Sequence, residues 1–281
     1  MRRLGFLIVA LLALSTAGCR DDVVVHVRTE EQAPLKLGLA LNGDEDEVRA
    51  QYAPLARWLG DKLAREVVLA PDSSYRAVGW SLQQGRVDLA WLSGTAFRAA
   101  GGGTALATAV RGGSTTYRGV ILVKSTAAIR TVKDLAGKRM AYVDRSSGSG
   151  YLATNLMLLS AGLSPGVDLA ATTFTYSHLE SLRALDAGEC DAAGVFENAP
   201  QAYAPRVDPT HFRVLATSGP LPNDVLAASP ALDAATATRI AKLVCGLAGD
   251  PQASAVLRAL DPSGRMDGFV AAPVGNPPSR P

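Results

Sequence analysis

Short apolar runs alternate with amphipathic stretches along most of this chain, and the alternation runs through twice. Leu35 to Leu41, Val67 to Ala70 and Val87 to Trp91 read as strands, separated by helical periodicity from about Val48 to Leu63 and from Tyr75 to Gln84. The rhythm restarts with strands over Tyr117 to Lys124, Arg139 to Val143, Thr172 to Tyr176 and Cys190 to Phe196, around helices over Gly150 to Ala161 and His178 to Ala187. Strands recurring between helices at this spacing build mainly parallel sheet, so the fold class is α/β with two such units. After Arg213 to Ala216, two further helical stretches, Ala235 to Ala248 and Gln252 to Leu260, have no strands of their own and are expected to return to the first unit.

Two units visited in that order need two chain crossings, expected near residues 112–119 and 214–222. The lobes then comprise residues 34–116, 117–216 and, returning to the first, 217–267. A cleft between such lobes, at the carboxyl ends of strands, is where a small ligand is expected.

The N-terminus carries its own instructions. Arg2 and Arg3 precede an apolar run from Leu4 to Leu14 and the small residues Ser15 to Gly18, the pattern of a secretory signal over residues 1–18. Its run is about half the roughly 20 residues of a spanning helix. Cys19 after Ala17 and Gly18 resembles the lipobox of bacterial lipoproteins, although Thr16 stands where Leu is usual; ordinary cleavage beside an incidental cysteine is the alternative. Acylation of Cys19 would hold the protein at a membrane surface. Residues 19–33 read as a tether and the Pro- and Gly-rich residues 268–281 as a disordered tail.

Loss of residues 1–18 takes the formal charge from +2 to zero, so no bulk attraction to nucleic acid is expected. Beyond Cys19, only Cys190 and Cys245 remain, too few for a disulfide scaffold or a Cys-rich metal site. They fall in different lobes, where a bridge would jam the hinge; both are expected to be unbridged and buried.

The sharpest chemical signal is the strand end at Val143 and Asp144, followed by Arg145-Ser146-Ser147-Gly148-Ser149-Gly150-Tyr151 and a helix. Unpaired N–H groups and the positive dipole end at such a junction form an anion site. Simple helix capping by Ser147 or Ser149 is the alternative. A dinucleotide fingerprint through Gly148, Gly150 and Ala153 lacks its acid, because Asp168 precedes the next strand. Zinc-protease, P-loop and nucleophile-elbow patterns also fail, and no nucleophile and base are visibly paired, so no enzyme is expected.

The chain resembles the phosphonate and phosphite binding proteins of bacterial ABC importers, with the type II periplasmic-binding fold. The residues that carry the resemblance are Ala70-Pro71-Asp72-Ser73-Ser74-Tyr75, Gly85 to Trp91, Tyr117-Arg118-Gly119-Val120, Asp134 to Lys138, Ser147 to Tyr151, Ser177-His178 and Pro222-Asn223-Asp224. The resemblance implies ligand contacts from the hydroxyls of Tyr75 and Tyr117, from Ser147, Gly148 and Ser149, and from His178. Gly148 stands where the family usually has Thr, so one hydroxyl donor is missing from the turn. Asp224 would accept from the P–OH of a protonated oxyanion, and Glu197 matches an acid that pairs with the amine of aminoalkyl ligands or else simply starts a helix. The implied function is capture of a phosphonate, phosphite or phosphate-like anion by a monomer on the periplasmic side, with delivery to an ABC permease and no metal or organic cofactor. A sensory protein presenting the same ligand to a kinase or chemoreceptor is the alternative.

Overall fold

The structure, a computed structural model, describes residues 32–41, 43–204 and 206–272. The signal, Cys19 and nearly all of the tether lie outside the described residues. The first pass of the chain gives β1 (Leu35–Ala40), α1 (Glu45–Leu63), β2 (Val67–Asp72), α2 (Tyr75–Gln83), β3 (Leu89–Leu92), α3 (Gly94–Ala100) and β4 (Thr104–Arg111). The second gives β5 (Thr116–Lys124), β6 (Arg139–Tyr142), a π-helical turn Gly148–Ala153 running into α4 (Thr154–Ser160), α5 (Pro165–Asp168), β7 (Ala171–Phe174), α6 (His178–Ala187), β8 (Ala192–Phe196), α7 (Ala199–Ala202) and β9 (Phe212–Pro222). The chain closes with β10 (Val225–Ala228), α8 (Ala234–Cys245), α9 (Ala253–Leu260) and β11 (Met266–Ala271).

The strands form two sheets, ordered β11-β4-β10-β3-β1-β2 and β7-β6-β8-β5-β9. Each has a parallel heart, β1 with β2 and β3 in the first and β6 with β7 and β8 in the second. Side-chain alternation explains why helices cover both faces. Leu89 and Trp91 join the core under α1, α8 and α9, whereas Ala90 and Leu92 join the core under α2 and α3. In the second sheet Val120 and Leu122 face α6 while Ile121 and Val123 face α4.

Polar residues at the strand ends start the helices that follow. Asp44 accepts from the N–H groups of Asp46 and Glu47, Ser74 from Ala77, and Ser93 from Ala96. Each helix therefore begins at the carboxyl end of a parallel strand, with its first residues on the rim facing the other sheet.

Three expectations need correction. The first crossing is the short link between β4 and β5, but the second falls later than 214–222: β9 stays paired with β5 as far as Thr116 opposite Pro222, leaving only Asn223 and Asp224 to cross. The tail also begins later than Gly268, because Gly268 to Ala271 pair with β4 and Phe269 is buried in the first core. Cys190 and Cys245 are both free, but only Cys190 is buried; Cys245, at the end of α8, is half-buried.

Candidate functional site

The rims of the two sheets face each other across a cleft, and a cavity of about 10 Å³ lies there, lined from the first lobe by Ala40, Leu41, Ser73, Ser74 and Tyr75 and from the second by Val143, Asp144 and Tyr176. Space of that size admits about one water. The lobes are thus in contact around the candidate residues.

The turn after β6 is built from small residues because its neighbours leave no room for more. Ser147 accepts from the Gly150 N–H at 3.0 Å, and a Cβ on Gly150 would lie 2.5 Å from Val143 Cγ2. Ser147, Gly148 and Ser149 are all buried. Behind the turn Tyr142, Tyr151 and Phe174 pack ring against ring, and Tyr142 donates to Asn155 Oδ1 at 2.6 Å.

Tyr117, the second residue of β5 after the crossing, brings its hydroxyl to this loop. The hydroxyl and N–H of Ser149 are its hydrogen-bond partners. Burial, and then the charge of Asp224, push the Tyr117 hydroxyl up to about 12, so it stays protonated throughout the physiological range. A Cβ built on Gly148 would lie 3.2 Å from that hydroxyl and only 2.6 Å from Thr95 Oγ1 of the opposite lobe.

Asp224 sits on the return crossing. Its Oδ2 accepts from Arg111 Nη2 at 2.8 Å, and Arg111 Nε lies 3.4 Å from Asp261 Oδ2. Burial opposes the Arg111 charge, but Asp224 and Asp261 outweigh it and raise its pKa. Tyr52 on α1 is raised well above its usual value by burial, with Asp224 and Tyr75 adding to the effect. Tyr75, Tyr117, Asp224 and the turn therefore share one neighbourhood, together with Tyr52, Thr95 and Arg111.

His178 and Glu197 stand on the same rim at the carboxyl ends of β7 and β8, but their contacts lead elsewhere. The His178 ring packs edge-on against Phe196 at 4.8 Å, and its Nδ1 is buried with no hydrogen-bond partner among the described residues. Burial lowers its pKa to about 4. Glu197 donates its N–H to Arg118 O at 3.0 Å and makes no ion pair among the described residues.

A pH dependence follows from His178. Its folded value lies below the ordinary 6.5, so the folded protein resists protonation and unfolding takes up a proton between pH 6.5 and 4. Its contribution is complete above pH 6.5 and is lost as pH falls toward 4, on the order of 2 kcal/mol for a half-buried ring. Urea midpoints at pH 7.5, 5.5 and 4.5 are expected to fall with pH, and His178→Gln to flatten that slope.

Sequence reasoning missed Tyr52, Thr95 and Arg111. Arg111 had one signal: a carboxylate placed beside an anion site calls for a counterion, and Arg111 ends the strand that leads into the first crossing.

Comparison with known proteins fits this geometry. The family described as ABC transporter, phosphonate, periplasmic substrate-binding protein matches residues 37–273. A phosphate-import protein, PhnD of Mycolicibacterium smegmatis, is 29% identical over 203 residues, 67% of this chain and 63% of that relative, so the match spans less than two thirds of the relative's length. PhnD1 of Prochlorococcus marinus, solved in complex with methylphosphonate, superimposes with a TM-score of 0.76 at 17% identity over 87% of this chain and 94% of its own. A binding protein component of an ABC phosphonate transporter from Pseudomonas aeruginosa gives 0.75 at 16% identity over 86% and 82%. The fold is that of type II periplasmic binding proteins, and the chain belongs to the periplasmic substrate-binding proteins of phosphonate ABC transporters.

Proposed function

We propose that the protein captures a small phosphorus oxyanion, a phosphonate, phosphite or phosphate-like group, between its lobes and delivers it to an ABC permease. In this reading it is exported as a monomer and held on the periplasmic side by a lipid on Cys19. The observation that carries the proposal is the meeting of hydroxyls from both lobes around Gly148: Tyr117 and Ser149 from the second and Thr95 from the first. The relatives named for phosphate import and solved with methylphosphonate support the same ligand class.

Each side chain has a definable part. Tyr75 and Tyr117 donate phenolic protons, Ser147 and Ser149 hydroxyls, and Gly148 to Gly150 backbone N–H groups. His178 is neutral at pH 7, and the ligand supplies the partner its buried Nδ1 lacks. Asp224 accepts the ligand's remaining proton. Donors fixed to both lobes bind the anion best when the cleft is shut, so the ligand shifts the population toward the closed form that a permease would recognise. Glu197 is assigned the amine of an aminoalkyl substituent, where the ligand carries one.

Calorimetry with phosphite, methylphosphonate, 2-aminoethylphosphonate, phosphate and sulfate tests the reading, and binding of no phosphorus compound overturns it. Within that series Tyr117→Phe is expected to weaken the best ligand by about 10- to 100-fold, the worth of one hydrogen bond to a charged group.

A further inference from the structure

We propose that Thr95 is a ligand-contacting and specificity-determining residue, its hydroxyl completing from the first lobe the oxyanion site that the turn of the second lobe leaves short of a side chain at Gly148. The inference rests on the oxyanion reading of the cleft and extends it to a residue outside the turn.

A single point, the position a Cβ on residue 148 would take, lies 2.6 Å from Thr95 Oγ1, 3.1 Å from Thr95 Cγ2 and 3.2 Å from the Tyr117 hydroxyl. Thr95 thus occupies the space of a side chain on the opposite lobe, and the two positions exclude each other: any residue larger than glycine at 148 meets Thr95 before the lobes reach this separation. The backbone of α3 is seated just as closely, since a Cβ on Gly94 would come within 2.7 Å of Pro222 and 2.8 Å of the Asn223 carbonyl. Glycines on both sides therefore fix where the Thr95 hydroxyl stands.

The hydrogen bonding around Thr95 allows an outward donor. Ser93 Oγ accepts from the Ala96 N–H at 3.1 Å and lies 3.1 Å from Thr95 Oγ1. When the one Ser93 proton goes to Thr95 Oγ1, the Thr95 proton is left to point at the cleft. Its neighbour there is the Tyr117 hydroxyl, 3.2 Å from the same point and hydrogen-bonded to Ser149.

Placement on the first lobe has a consequence that a hydroxyl on the turn would not have. A donor built into the turn reaches the anion in the open and the closed form alike, whereas Thr95 reaches it only on closure. Its contribution goes entirely into the preference for the closed state.

A double-mutant cycle read by calorimetry with phosphite and methylphosphonate tests this. Thr95→Val, which keeps the shape and removes the hydroxyl, and Thr95→Ala, the single variant that closes the cycle, are each expected to weaken binding about 10- to 100-fold. Gly148→Ser is expected to weaken it more than about 100-fold, because the new Cβ holds the lobes apart. Thr95→Ala combined with Gly148→Ser is expected to recover at least about tenfold over Gly148→Ser alone, with the hydroxyl now carried by the turn. Closure followed by fluorescence transfer between labels on the two lobes should be lost in Gly148→Ser and restored in the double variant. Binding by Thr95→Val equal to the unsubstituted protein, or losses that simply add in the double variant, overturns the proposal. Failure of the unsubstituted protein to take either anion overturns the oxyanion reading itself, a result distinct from both.

Discussion

Arg111→Met is expected to destabilise the protein by about 2–4 kcal/mol, because it leaves two carboxylates in a largely enclosed place without their shared counterion. Arg111 is the last residue of β4, its guanidinium holding Asp224 at 2.8 Å and Asp261 at 3.4 Å. Their side chains are only 24% and 13% exposed, so water screens them incompletely once the guanidinium is gone. The pair also ties the outgoing crossing to the returning one. Asn223, fully buried beside it, donates from Nδ2 to Ala109 O at 3.0 Å and to Ser114 O at 2.9 Å, a second tie across the same gap. A loss of that size corresponds to a thermal midpoint lower by roughly 5–15 °C for a domain of this length. Arg111→Met together with Asp224→Asn should melt above Arg111→Met alone, since one stranded charge is removed with its partner. A midpoint for Arg111→Met within about 2 °C of the unsubstituted protein would mean that the carboxylates find water or each other's proton instead.

The elements legible in the sequence were those with a local signal. β1, β3 and β5 announce themselves as apolar runs, and α1 and α6 as helical stripes bounded by Asp44 and Ser177. β4 and β11 did not. Thr104 to Arg111 is made largely of Ala and Thr, whose small side chains carry little contrast between the faces, and Met266 to Ala271 sits among the Gly and Pro of the chain's end. β11 is a strand because it pairs with β4, so missing β4 meant missing β11 as well. The second crossing was misplaced for a similar reason: nothing local to Thr217 to Pro222 reveals that β5 continues alongside.

The candidate site divides the same way. The turn from Ser147 to Gly150 was visible because strand end, small polar residues and helix start are contiguous. Thr95 was not, since Ser93-Gly94-Thr95 reads as an ordinary capped helix start and acquires meaning only when the other lobe brings Gly148 so close that a Cβ there would lie 2.6 Å from the Thr95 hydroxyl. Arg111 and Asp224 are far apart in the chain and meet only through the pairing of β4 with β10.

Asp224→Asn is expected to bring sulfate binding, roughly 100-fold weaker than methylphosphonate in the unsubstituted protein, to within about tenfold of it. Both anions are tetrahedral and of similar size; methylphosphonate has a methyl in place of one oxygen and, as the monoanion, carries a proton that sulfate lacks at neutral pH. Arg111 occupies Asp224 Oδ2, and Oδ1 is the oxygen that this reading gives to the ligand. Arg111 offsets one of its two carboxylate partners, Asp224 and Asp261, so the cluster repels either anion with one net charge and not two. Discrimination then comes from that one oxygen, which finds a hydrogen-bond partner in a P–OH and faces a bare lone pair in sulfate. A mismatch of this kind costs about 1–3 kcal/mol, which is the 5- to 150-fold range that contains the expected ratio. An Asn amide turned toward the ligand donates instead of accepting, so sulfate gains and the protonated phosphonate loses. The same exchange should reverse the pH dependence: methylphosphonate affinity falls as the ligand loses its second proton in the unsubstituted protein, and should hold or rise in Asp224→Asn. Calorimetric titration of both anions at pH 6.5 and 8.5 checks each sign, and sulfate binding as tightly as methylphosphonate before any substitution would remove Asp224 from the selection of the ligand.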